Sequence, residues 1–317
     1  MYVINKDSIL EIVKQLDLIP LIKEGFIAYS EGRSVVPPIG ELSFKNPPGD
    51  VHIKYGYIIG DSYYVIKIAS GFWKNENLGI PNGQGMMLLF DQKTGQPKAI
   101  LLDNASLTDI RTAVAGQICA QQFSNDIKCI GVLGTGLQAR LQVEYLTHVT
   151  DCRNLIVWGR NREKMKQYQK DMGHKGFKVN LADSVRQLSK SSNLIITATA
   201  SSEPMLFPED IMPGTHITAM GSDTLMKREL GPGVLKVSSL VIADSITQCQ
   251  ERGEISHGLK EGDLSKDSVV ELGDVLSGTR AGRTSQKDIT VADLTGVAVQ
   301  DIQIAIAVFK SYLENQK

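Results

Sequence analysis

Ten residues near the middle of the chain leave few folds open: Ile130-Gly131-Val132-Leu133-Gly134-Thr135-Gly136-Leu137-Gln138-Ala139. They spell GxGxxA at the end of an apolar run and the start of a segment with helical character. In that setting the first glycine permits a tight turn and the second lets backbone approach a pyrophosphate. The small third residue allows close packing of helix on strand. The helix start then offers free N–H groups and the positive end of a dipole to phosphate. A glycine turn alone is weak evidence. Here a strand-like run precedes it, a helix follows, and a second strand begins about 20 residues on, the context a dinucleotide site requires. Gly134, Thr135, Gly136, Leu137 and Gln138 are therefore candidate cofactor contacts.

The second strand ends in Trp158-Gly159-Arg160-Asn161-Arg162, with no acidic residue before Glu163. NAD-selective folds place Asp or Glu here to accept from the ribose 2′-hydroxyl, whereas arginine suits a 2′-phosphate. Arg160, Asn161 and Arg162 thus favour NADP(H), with NAD(H) still open. The alternative is that both arginines are solvated surface residues.

Around this loop, strand-like runs at 128–133, 154–158, 193–198, 216–220 and 239–243 alternate with helical or loop segments. That alternation implies an α/β, Rossmann-type, doubly wound parallel sheet. The chain before it reads differently. An amphipathic helical region over 6–32 precedes a Pro/Gly-rich stretch at 35–50. Closely spaced strands at 51–58, 63–68, 86–90 and 97–102 follow, and they suggest an antiparallel or mixed sheet. A helix over 108–123 leads out of it. The tail, 301–314, carries Ile302, Ala305, Ile306, Phe309 and Leu313 on one helical face and is expected to pack back on the N-terminal region. A length of 317 residues fits two domains. The expected division is 1–122 with 296–317 as a discontinuous α+β domain, and 123–295 as the dinucleotide-binding domain.

Composition narrows the function. A formal net charge of −1, with both signs interleaved, gives no basic surface for nucleic acid. The apolar runs are too short to span a bilayer, and the first residues lack a signal-peptide layout, so no membrane association and a cytoplasmic location are expected. Cys119, Cys129, Cys152 and Cys249 have no paired spacing, and the five histidines form no HxxxH pair, so neither a metal nor a disulfide framework is expected.

Several separated runs together resemble the ornithine cyclodeaminase/mu-crystallin family. They are Tyr64-Val65-Ile66-Lys67, Leu107-Thr108-Asp109-Ile110-Arg111-Thr112-Ala113 and the GxGxxA loop continuing to Arg140. Further along come Pro213-Gly214-Thr215-His216, the run from Gly221-Ser222-Asp223 to Lys227-Arg228-Glu229-Leu230, and Gly296-Val297-Ala298-Val299-Gln300-Asp301. Their order and spacing follow the family across nearly the whole chain. The resemblance implies a homodimer, a discontinuous substrate-binding and dimerisation domain, and chemistry at the α-carbon of an imino or amino acid. It makes Lys67 and Arg111 the substrate-carboxylate ligands, and a guanidinium binds a planar carboxylate in bidentate fashion on chemical grounds as well. Read alone, Lys67 on an alternating strand also fits a side chain turned to water. Asp223 looks like the catalytic acid/base, with Lys67 beside it in the catalytic set, and an N-cap for a helix over 225–230 is the plainer reading. The resemblance further points to Thr112, Thr199, Met220 and Thr295, with Gly296, as cofactor neighbours. Gln84 fits either the cofactor site or turn chemistry.

One stretch departs from the family. Where many relatives carry an arginine shortly after a proline, this chain reads Val36-Pro37-Pro38-Ile39-Gly40-Glu41. His52 and Lys54 share one face of a strand and are expected to replace the lost charge, so Lys54 joins the substrate-binding set. Glu41 instead suits a distal amine on the substrate. The resulting expectation is an NAD(P)H-dependent reductase of a cyclic ketimine or small linear imine, or the reverse dehydrogenase. Ornithine cyclodeamination with bound NAD is the first alternative, and a non-catalytic NADPH-regulated binding protein the second.

Overall fold

The structure is a computed structural model and describes residues 1–316. By its contacts the chain divides into two compact units, Met1–Arg111 with Val297–Lys317, and Thr112–Gly296. The line between them runs inside a helix, earlier than the 122/123 border expected from sequence.

The first unit opens with strand β1 (Tyr2–Asn5) and helices α1 (Lys6–Val13) and α2 (Leu18–Ser30). These two helices replace the single helical region expected over 6–32. Asp17 explains the break: its side chain accepts the Ile19 N–H and caps a new helix, with Pro20 in the first turn where its missing N–H costs nothing. Strands β2 (Ser34–Val35), β3 (Gly40–Lys45), β4 (Pro48–Ile58), β5 (Tyr63–Phe72), β6 (Gly83–Asp91) and β7 (Pro97–Leu102) follow. Within the Pro/Gly-rich stretch 35–50, expected to be turn and extended structure, Gly40–Lys45 lies antiparallel on Pro48–Ile53. The sheet order is β1-β7-β6-β5-β4-β2, with β3 also on β4. Only β1 runs parallel to its neighbour, which makes the sheet mixed.

Helix α3 (Ser106–Phe123) leads into the second unit: β8 (Ile130–Leu133), α4 (Leu137–Leu146), β9 (Asn154–Trp158), α5 (Arg162–His174), β10 (Lys178–Leu181), α6 (Val185–Ser191), β11 (Leu194–Thr197) and β12 (His216–Ala219). It continues with α7 (Val234–Val237), β13 (Leu240–Ala243), α8 (Ile246–Cys249), α9 (Gly253–Glu261), β14 (Val269–Glu271), α10 (Leu272–Leu276) and β15 (Thr290–Asp293). All eight strands are parallel, in the order β10-β9-β8-β11-β12-β15-β13-β14. The order turns at β8, whose neighbours β9 and β11 lead the chain away in opposite directions. In such sheets ligands bind at that switch point, beyond the strands' C-terminal ends. Strand β15 enters between β12 and β13, although it comes last in sequence.

Helix α11 (Ala298–Glu314) returns to the first unit and packs on α2 and on the inner sheet face. A Cβ at Gly25 of α2 would lie 3.0 Å from Gln303 Cγ and 3.2 Å from the Val299 carbonyl oxygen, so glycine there lets the two helices approach. Tyr2 and Tyr63 meet Phe309 with centroids 5.8 and 5.4 Å apart. Among the described residues, no helix is long and apolar enough to cross a membrane.

Candidate active site

Inside the first unit the inner sheet face carries Val65, Met87, Leu89, Ala99 and Leu101, all buried. Lys67 lies on this same face, two residues after Val65. It points into the core and not to water, with only 2% of its surface exposed. Lys54 pairs with it across β4 and β5 and is buried as well. From α3, Arg111 reaches the same place, and α11 supplies the counter-charge. Asp301, fully buried, accepts from Arg111 Nε through Oδ1 and meets Lys67 Nζ through Oδ2, each at 2.9 Å. Gln300 Oε1 accepts from Arg111 Nη1 at 2.9 Å.

Burial pushes the Lys67 ammonium down to about 8, against the pull of Asp301. Asp301 is held below the usual carboxylate range because Arg111 and Lys67 outweigh its desolvation. Asp103, buried at the start of α3, accepts the Leu107 N–H at 2.9 Å, and burial pushes its carboxyl up. Sequence reasoning missed Asp301, Gln300 and Asp103, although Gln300-Asp301 ends one of the runs that carry the family resemblance. For Asp301 the available signal was a charged residue on an apolar helix face. His52 lies 3.8 Å from Glu41 on the neighbouring strand, so these two residues face each other.

In the second unit a cleft of about 470 Å³ opens beside β8, β9 and β11. Gly134, Thr135 and Gly136 line it, as do Arg160, Asn161 and Thr199. Gly134 has φ +120°, and a Cβ there would stand 2.5 Å from the Ala198 carbonyl oxygen, so only glycine fits. A Cβ on Gly136 would meet nothing within 4 Å. No protein packing demands that second glycine, which leaves close approach of a ligand as its reason. Gly136 also caps α4 without a side chain, so the first-turn N–H groups face the cleft mouth as a phosphate needs. Arg140 braces the loop through the Thr135 and Gly136 carbonyls and through Asp171 at 2.7 Å. These residues fit a dinucleotide.

Other expected contacts fall outside this lining. Leu137 is exposed, Gln138 accepts from Gln142 at 3.4 Å, and the Thr112 carbonyl accepts from the same Gln142 at 2.9 Å. Met220, the residue after β12, is buried. Thr295 donates to Asp244 at 3.0 Å and accepts from Gln248 at 2.8 Å. Arg162 pairs with Asp183 at 3.2 Å, while Lys164, not singled out from sequence, joins Arg160 on the cleft.

Asp223 follows β12, at the C-terminal end of the sheet. The segment 225–230 forms no helix, so Asp223 is not an N-cap there. Its Oδ1 instead accepts from Lys227 Nζ at 2.6 Å. The loop owes its shape to Glu229, which is fully buried. One carboxylate oxygen accepts the Thr199 N–H at 2.7 Å; the other accepts the Gly221 N–H at 2.9 Å and the Thr197 hydroxyl at 2.6 Å. Glu229 thus ties the loop after β11, which lines the cleft, to the loop that carries Asp223. Glu254 accepts the Glu229 and Leu230 N–H groups at 2.7 and 3.1 Å, and burial pushes it up to about 8. His216 is a core residue held neutral by burial, with Nδ1 2.8 Å from the Thr290 hydroxyl.

Comparison with known proteins follows the same lines. An uncharacterized cyclodeaminase of Sinorhizobium fredii is 37% identical over 316 residues, 98% of this chain and 95% of that one. The iminosuccinate reductase of Paracoccus denitrificans is 31% identical over 242 residues, 76% of this chain and 74% of its own. Its crystal structure in complex with NAD+ matches with a TM-score of 0.88 at 25% identity, covering 100% and 97% of the two chains. An archaeal alanine dehydrogenase dimer with bound NAD matches with a TM-score of 0.91 at 26% identity, covering 100% and 97%. The model of the ornithine cyclodeaminase/mu-crystallin family matches residues 3–316, and the chain belongs to that family.

Proposed function

We propose that this protein is an NAD(P)(H)-dependent oxidoreductase that reduces the C=N bond of an α-imino acid, or oxidises the matching amino acid. The observation that carries the reading is the buried cluster around Asp301. Three cations, Lys54, Lys67 and Arg111, stand against two acids, Asp301 and Asp103. Charged donors held away from water in this way suit a small anion, and the substrate carboxylate is one. Arg111 and Lys67 hold that carboxylate, Asp301 orients both, and Lys54 stands in for the arginine that relatives place after the proline.

When bound, the coenzyme supplies or takes the hydride. Thr135, Gly136 and the start of α4 bind its pyrophosphate. Arg160 and Lys164 support a 2′-phosphate and hence NADP(H), while NAD(H), the form present with the two solved relatives, fits the same cleft. Arg162 contributes nothing to that choice while it serves Asp183. Asp223 gives the proton that the substrate nitrogen needs as the C=N bond is lost, and takes it back in the reverse direction.

The subunit pairs with a second copy through the outer face of the mixed sheet. There Tyr55, Ile66, Leu88, Ile100 and Val3 lie side by side in register across five strands, an apolar row on the face away from the core. Reduced nicotinamide and four free cysteines fit a cytoplasmic setting.

The test follows absorbance at 340 nm with NADPH and then NADH across cyclic and linear α-imino acids, with ammonia measured from ornithine plus NAD+. A coenzyme-dependent rate with one imine supports the reading. Silence with every imine, together with ammonia and proline from ornithine, replaces it by the cyclodeaminase reaction suggested by the Sinorhizobium relative's name.

A further inference from the structure

We propose that Lys227 supplies the proton that Asp223 passes to the substrate nitrogen, acting through Asp223 and not on the substrate itself. The inference rests on the oxidoreductase reading above.

The starting point is geometric. Lys227 Nζ lies 2.6 Å from Asp223 Oδ1, and the two side chains are 28% and 42% exposed. They are four residues apart, yet no helix brings them together. The backbone does so by other means. The Lys227 carbonyl accepts from the Ser222 hydroxyl at 2.6 Å and faces His257 Nε2 at 3.0 Å. Immediately beyond, Arg228 is fixed by two 2.6 Å contacts to Glu261, and Glu229 by the Thr199 and Gly221 N–H groups. The base of the loop is therefore closed without the lysine side chain. A half-exposed ion pair adds little to stability and requires a long side chain to be ordered. The pairing thus needs a reason other than holding the loop.

The reaction provides one. Hydride brings two electrons to the imine carbon, the C=N π pair becomes a lone pair on nitrogen, and that nitrogen takes one proton. An aspartate in contact with a cation is ionised near neutrality and has no proton to give. The ammonium of Lys227 does. Lys227 N–H passes its proton to the Asp223 carboxylate, the carboxyl so formed gives a proton to the nitrogen as hydride arrives, and the neutral lysine recovers one from water at its exposed side. One proton enters from solvent for each hydride transferred, and Asp223 ends as it began.

The other titratable groups around the loop are committed elsewhere. The His257 ring is engaged with the Lys227 carbonyl, and burial lowers its proton affinity. Arg228 is paired with Glu261. Glu229 and Glu254 accept backbone N–H groups inside the core. Lys227 touches Asp223 and also reaches solvent.

Two variants of the full-length protein separate proton supply from charge and from structure. Lys227→Met removes the charge and the proton. Lys227→Arg keeps a cation that does not deprotonate. Both are expected to lower kcat about 100-fold, within the range of a lost general acid. Substrate KM is expected to move less than about threefold. Coenzyme affinity, read by fluorescence titration, and melting temperature should match the parent. Added methylamine, ethylamine or ammonium should restore the rate of Lys227→Met, more strongly for the amine that gives up its proton more readily. Near-parental turnover in Lys227→Arg reduces the role to charge and overturns the proposal. Loss of coenzyme affinity in both variants, with no amine rescue, makes the lysine structural and also overturns it. A parent protein silent with every imino acid overturns the oxidoreductase reading, and this proposal with it. An active parent with unaffected variants overturns this proposal alone.

Discussion

Replacing Asp301 with asparagine tests the buried charge cluster most directly. The change is nearly isosteric, but the amide can accept from only one of the two cations and turns its NH2 towards the other. Both contacts are 2.9 Å long and the carboxylate is 1% exposed, so water cannot compensate. Breaking a buried ion pair costs about 3–5 kcal/mol. Lys67 limits the loss. Its proton affinity already sits at about 8 with Asp301 in place, and each further unit down costs only about 1.4 kcal/mol, so without the carboxylate it sheds its proton near neutrality. Arg111 cannot do the same and stays charged. The expected destabilisation at pH 7 is therefore at the lower end, about 3 kcal/mol.

The pH dependence follows from the direction of the Lys67 shift. Folding lowers its affinity from 10.5 to about 8, so between those values the unfolded chain binds more protons and parental stability rises with pH. In the variant the pull of Asp301 is gone, the window opens at lower pH, and recovery begins sooner. Urea titrations followed by far-UV circular dichroism at pH 7 and pH 9.5 should show a deficit that shrinks at the higher pH, where Lys67 is largely neutral in both proteins. A deficit below about 1 kcal/mol at pH 7, or one that is flat with pH, refutes the reasoning.

Gly136→Ala should fold and melt like the parent, because its added Cβ meets nothing within 4 Å, yet it should bind NADH or NADPH at least tenfold more weakly by fluorescence titration; equal affinity would place the pyrophosphate elsewhere. Arg160→Ala should weaken NADPH by about 10- to 100-fold, the worth of one charged hydrogen bond, and leave NADH within about twofold; parallel losses would remove the 2′-phosphate assignment. With the parent protein, substrate KM should climb above pH 8 or so as Lys67 loses its charge, and Lys67→Arg should abolish that rise; a rise that persists belongs to another group. Leu88→Lys, placed mid-row on the outer sheet face, should sediment as a monomer, and an unchanged dimer would move the interface elsewhere.

Much of this molecule was legible in the chain alone, and the reason is local. The GxGxxA loop marked the switch-point end of the parallel sheet because tight turns and close backbone approach demand glycine whatever the rest of the fold does. Strands β9 and β7 fell where expected because uninterrupted β-branched or aliphatic runs between polar turns carry their own period. Lys67, Arg111 and Asp223 were singled out through resemblance, not periodicity.

What the sequence withheld depends on partners distant along the chain. The face Lys67 shows to the core follows from its register with Lys54 on β4 and Met87 on β6, and alternation alone allowed either side. Asp301 stands 190 residues from Arg111, so only packing of α11 on the first sheet reveals it as their counter-ion. Strand β15 is short and separated from its neighbours β12 and β13 by intervening chain; it becomes a strand because both offer it free backbone groups. Glu229 reads as one more polar loop residue until burial leaves its carboxylate facing the Thr199 and Gly221 N–H groups. Turns and glycines are decided by bonds within a few residues, so sequence determined the glycine-rich loop. Burial, pairing and charge compensation are decided by distances in space, so the tertiary structure determined the buried charge cluster and the shape of the loop that carries Asp223.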